Sequence, residues 1–219
     1  MTTAARLRPL RTGVVVGLSS VLTGALGGLV WTKVRGDRMA PWILGRATGI
    51  TAYLLLFALV MLGISLSHPN RAGRGRSLPT RMRAHVTLSL LALALIVLHI
   101  VVLATDRYAG VGWWGALLPM NSHYRPVGVT LGVIGVWIGL LAGLSAAAAG
   151  HLPLRLWFPL HRIAAVSFVL VLIHGLMAGS DTNALFGMYV ASGGIVAASA
   201  ANRYTAKREV LGAKAEVPR

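Results

Sequence analysis

At 219 residues, 56% hydrophobic and 12% charged, with a mean hydropathy of +0.72, the chain is too apolar for a water-soluble globular domain. Its formal charge of +16 lies in loops and tails and not on a folded basic face, which speaks for membrane topology and anionic lipid and against nucleic acid. The absence of cysteine excludes disulfides, thiolate iron–sulfur clusters, cysteine nucleophiles and covalently attached c-type haem.

Several apolar runs approach the ~20 residues that span a bilayer, so the expected fold is all-α, a six-transmembrane-helix bundle in a single integral-membrane domain, 1–219. Barrel strands would instead alternate apolar and polar residues over about 10 positions. Residues 1–11 carry Arg6, Arg8 and Arg11 and no acid. The run 12–31 that follows is span-length and lacks a small-residue cleavage site after it, so it reads as an uncleaved first helix. Gly24 and Gly28 give it a small-residue packing face.

The second span, 42–67, holds Arg46 between Gly45 and Gly49. Two readings stand open for this arginine: a side chain snorkelling to the interface, or a guanidinium paired with a buried anion such as a haem propionate. The link 68–83 contains Arg71, Arg74, Arg76, Arg81 and Arg83 without an acid, and the positive-inside rule makes it cytoplasmic. The third span, 82–104, therefore runs outward. The outer loop 105–125 carries Trp113 and Trp114, suited to an interfacial aromatic belt. The fourth span, 126–150, has a ridge of Gly128, Gly132, Gly135, Gly139 and Gly143, which favours close helix packing and also leaves room for a flat macrocycle.

The fifth span, 159–179, starts at Pro159, placed for a first helical turn. The sixth, 184–201, is built from small residues, and a basic tail, 202–219, follows. Six spans put both termini in the cytoplasm, against the charge only of Lys33, Arg35 and Arg38 in the first link.

The third and fifth spans each bear two histidines, His85 and His99, then His161 and His174. Ionisable groups at membrane depth are rare and functional by default. His85 and His99 are about 21 Å apart along an ideal helix and about 40° apart in azimuth, close to one face. The two spans run in the same direction, so His85 pairs in depth with His161 and His99 with His174. Each pair is suited to supply both axial imidazoles of one iron, predicting two b-type haems between helices 3 and 5. Arg81, Arg83 and Arg162 are placed for inner propionates, and Arg46 for an outer one. One difficulty is that His161 and His174 lie about 140° apart on an ideal helix. The bland reading is four core or interfacial histidines bonded to neighbours. His68 and His151 sit at inner helix ends with a secondary claim to ligation, and His123 lies in the outer loop. Met61 and Met188 read as packing. No nucleotide-binding glycine fingerprint, serine triad or intramembrane carboxylate pair is present.

With LGRATGITAYLLL, RPVGVTLGV, LHR and IHGLMAGSD, and thirteen and twelve residues between the paired histidines, the chain resembles the ferric reductase-like transmembrane domain family over about residues 42–201. That family includes the haem domains of ferric reductases and NADPH oxidases and the haem subunit of periplasmic methionine sulfoxide reductase. The resemblance implies electron transfer from a cytoplasmic donor, through an inner and then an outer haem, to an extracytoplasmic acceptor. It accommodates the uneven histidine spacing. The flavin and nicotinamide domains that follow the haem domain in the oxidases are absent from this sequence, so FAD and NAD(P)H are expected only through a partner. The donor is then a separate flavoprotein reductase or quinol. A non-redox membrane scaffold or transporter subunit is the rival of another class.

Overall fold

A computed structural model describes residues 39–69 and 78–215, with side chains as far as residue 207. The expected first span, 12–31, and Arg71, Arg74 and Arg76 of the basic link lie outside the described residues. From Pro41 onward the chain forms one compact unit.

The described residues form α1 (Ala40–Leu66), α2 (Leu78–Thr105), α3 (Gly112–Leu117), α4 (Pro126–Ala147), α5 (Leu154–Arg162), α6 (Ala164–Ala178) and α7 (Thr182–Ala215), with no strand among them. Five stretches are long and apolar enough to cross a membrane: α1, α2, α4, α5 with α6, and α7. In hydrocarbon a helix must satisfy its own backbone, and these do. Their outer faces are apolar, with Leu90 and Leu144 exposed by 63% and 67%, as suits a lipid solvent.

Three boundaries differ from the sequence reading. Pro159 lies inside α5, not at a first turn, because Pro153 caps the helix six residues earlier. The missing Pro159 N–H forfeits one helical bond, and the helix ends soon after, at Arg162. Residues 202–215, expected as a tail, continue α7, since alanine, lysine, arginine and glutamate sustain a helix and no proline interrupts before Pro218. The outer loop also holds a short helix, α3, which presents Trp113 and Trp114 to the surroundings.

The tightest packing joins α4 to α6, and glycine makes it possible. A Cβ on Gly128 would lie 3.1 Å from the Ala178 nitrogen, and one on Gly135 would lie 3.0 Å from Val171. The Ser167 hydroxyl donates to the Gly135 carbonyl at 2.7 Å. At the outer end, Arg125 precedes Pro126 in a left-handed conformation and caps α6, donating to the Met177 and Gly179 carbonyls at 3.0 Å. Midway along the bundle, Tyr53, Phe168 and Tyr189 form a buried cluster joined by Phe57. Tyr53 stacks on Phe168 with centroids 5.9 Å apart and meets Tyr189 edge-on at 5.0 Å. Its hydroxyl is hydrogen-bonded to Ser192.

Candidate functional site

Two helix pairs present histidine in the same way. In the first, His99 of α2 donates its Nδ1–H to the Gly45 carbonyl of α1 at 2.7 Å. Its ring lies over Gly49, where a Cβ would come within 2.7 Å of the imidazole. In the second, His174 of α6 donates Nδ1–H to the Gly128 carbonyl of α4 at 2.8 Å. That ring covers Gly132, where a Cβ would approach to 2.6 Å. Each module is thus a Gly-xxx-Gly step in which the first glycine holds the ring and the second makes room for it.

A carbonyl oxygen only accepts, so Nδ1 carries the proton in both rings and Nε2 keeps its lone pair. Both histidines line one cavity of about 180 Å³. Its walls are mainly apolar, among them Ile50, Leu56, Ile100 and Val136, and its outer rim includes Trp42 and Tyr124. Two imidazoles with Nε2 free and Nδ1 tethered are the usual arrangement of metal-ligating histidine.

His85 and His161 meet at the other end of the bundle, with ring centroids 6.2 Å apart and planes at 68°. Two imidazoles on opposite sides of one metal, with metal–nitrogen bonds of about 2.0–2.1 Å, have centroids about 6.3 Å apart. An ordinary ring contact also falls in this range, so the distance by itself decides nothing. The surroundings add more. His85 Nδ1 is buried without a hydrogen-bond partner, and His161 Nδ1 is 3.4 Å from the Ala142 carbonyl. Trp157 stacks on His161 at 5.5 Å and 8°, and its indole Nε1 is also buried and unpartnered. Orphaned buried donors are uncommon and mark places where a further polar group fits.

The helix break at Ile163 bears on the spacing problem. His161 belongs to α5 and His174 to α6, and the Val166 N–H bonds to the Ile163 carbonyl in a tightened turn. Such a turn advances about 120° per residue where an α-helix advances about 100°. The overwinding is in the direction that returns the two rings toward one face.

Arg46 has an anion, and it is Asp181. The guanidinium Nε donates to Oδ2 at 2.7 Å and a terminal nitrogen bonds Oδ1. Both residues border the outer end of the cavity. Arg81 bonds the Ser65 hydroxyl, Arg83 is exposed, and Arg162 lies exposed over Phe158 at 5.9 Å. His68 is bonded to Asn202 at 3.2 Å, while His123 and His151 are exposed. Among the described residues no group of three or more histidine, aspartate or glutamate side chains is placed to hold a metal ion.

Sequence reasoning missed Trp157, Asp181 and the glycine carbonyls. The lone arginine of an apolar run and the lone aspartate of a short outer link were a findable pair. The repeat of Gly-xxx-Gly at 45–49 and 128–132, each on the helix before a histidine span, was findable as well. No family model, curated protein or solved structure matches the chain.

Proposed function

We propose that the chain is a b-type haem electron-transfer protein of the ferric reductase-like kind, passing electrons across a cell membrane from a cytoplasmic donor to an extracytoplasmic acceptor. In this reading residues 12–31 supply the first of six spans, both termini are cytoplasmic, and His85 with His161 and His99 with His174 would each hold one haem. The observation that carries it is the matched tethering of His99 and His174, both Nδ1-bonded to glycine carbonyls in the wall of one apolar cavity. A histidine that served packing alone would not need a glycine beneath its ring in two separate helix pairs.

The residues divide the work. Gly45 and Gly128 fix the tautomer, Gly49 and Gly132 let the rings lie close to the neighbouring helix, and the α4–α6 contact holds that geometry rigid. The apolar walls keep water away from both ligands. Trp157 Nε1–H and His85 Nδ1 offer polar contacts to the edge of a bound group. Haem held by each histidine pair would supply a one-electron ferric–ferrous couple. The donor is a separate flavoprotein carrying FAD and NAD(P)H, or quinol.

The test is a pyridine haemochrome assay on the detergent-purified full chain. Two haems per chain and a reduced α-band are expected, and folded protein that binds no haem overturns the reading in favour of a scaffold. Reduction by quinol with no flavoprotein present identifies quinol as the donor.

A further inference from the structure

Resting on that reading, we infer that the two sites are unequal, the His99–His174 pair having the lower reduction potential because Gly45 and Gly128 make its imidazoles the more electron-rich ligands. The four rings differ in one respect that matters to a metal. His99 and His174 give their Nδ1–H to carbonyls at 2.7 and 2.8 Å. His161 reaches one only at 3.4 Å, and His85 has none. A hydrogen bond from the remote nitrogen raises the basicity of the coordinating one. A more basic ligand stabilises the ferric over the ferrous state, so two strong bonds at one site and none of comparable length at the other separate the potentials.

Charge acts in the same direction. Among the described side chains both acids, Asp106 and Asp181, lie at the His99–His174 end, alongside Arg46, Arg107 and Arg125. The other end has Arg81, Arg83, Arg155, Arg162, Arg203 and Lys207 and no acid among its described side chains. An excess of cations favours the state with the added electron, which raises the potential at His85–His161.

The consequence is directional. A single electron entering the protein settles at the His85–His161 end, and its passage to the His99–His174 end is the uphill step. Onward transfer then depends on the acceptor or on a second electron. Gly45 and Gly128 act as positioning residues through their backbone oxygens.

The experiment is an optical redox titration of the purified holoprotein, with haem content measured first. Absence of haem defeats the functional reading and is seen before any potential is recorded. With two haems bound, two one-electron steps are expected, at least tenfold apart in equilibrium constant, which is ~59 mV for a one-electron couple. A single unresolved step overturns the inference. Gly49→Ala and Gly132→Ala each drive a methyl group into the ring of His99 or His174 and pull it from its carbonyl. Each should raise or abolish the lower-potential step and leave the upper one in place. Gly63→Ala, whose Cβ would lie 3.4 Å from His85, should leave both steps unchanged. His99→Ala provides a third route, leaving one haem that titrates at the upper potential. The retained haem in every variant reports that the bundle is folded. Loss of the upper step in place of the lower one overturns the inference.

Discussion

Arg46 in α1 and Asp181 ahead of α7 are joined through both carboxylate oxygens, tying the start of one span to the start of another at the outer rim of the cavity. The guanidinium side chain is 39% exposed, so solvent screens much of the attraction and the clasp is worth about 1 kcal/mol. Asp181→Asn and Arg46→Gln should each lower the thermal midpoint of the detergent-solubilised protein. The double variant should cost little more than the worse single one, because both remove the same contact. Additive losses would show that the two residues act separately.

Histidine replacement should sort into two classes. His99→Ala and His174→Ala should each halve the haem content and remove the same spectral component, whereas His85→Ala and His161→Ala should remove the other. Quantitative haemochrome assays with low-temperature spectra check this. A loss pattern pairing His85 with His99 would break the depth-matched arrangement.

The glycine ridge of α4 should respond position by position. Gly128→Ala places a methyl 3.1 Å from the Ala178 nitrogen and from Met177 Cβ and should destabilise by about 1–3 kcal/mol through overpacking. Gly143, on the same helix, has nothing within 4 Å of its would-be Cβ. Gly143→Ala should stabilise by roughly 0.5–1 kcal/mol, the ordinary helical gain. Thermal or chemical unfolding of the two variants side by side is the measurement.

The mid-bundle aromatic cluster should be the most sensitive packing site. Phe168 is 1% exposed, and Phe168→Ala should cost about 3–5 kcal/mol. Tyr53→Phe keeps the stack on Phe168 but drops the bond to Ser192, for about 0.5–1.5 kcal/mol, since Ser192 retains its bond to the Met188 carbonyl. Equal losses from both would mean that the hydroxyl, not the rings, organises the cluster.

Span positions were legible because each is written in one local variable, the length of an apolar run. The ends of α1, α2 and α4 fall within four residues of the expected boundaries, the start of α2 at Leu78 being the furthest off. The break at Ile163 was not legible, since no glycine marks it and Pro159 pointed to the wrong end of the helix. The candidate ligands could be chosen from chemistry alone, as histidine in hydrocarbon is conspicuous. Their tethers could not, because Gly45 and Gly128 act through carbonyls, a group that every residue possesses. Arg46 shows the same limit from the other side. Its need for an anion was clear from its place in an apolar run, but which anion depended on a fold that brings residue 181 beside residue 46.

Along the helices, the cluster of Tyr53, Phe57, Phe168 and Tyr189 falls between the two histidine pairs, a mostly apolar, aromatic layer. Protons and metal ions need a chain of water or polar side chains to cross such a layer, whereas an electron does not. If the proposed electron transfer operates, charge moved across this layer goes uncompensated, so each turnover builds voltage across the membrane and slows the next until a separate conductance relieves it.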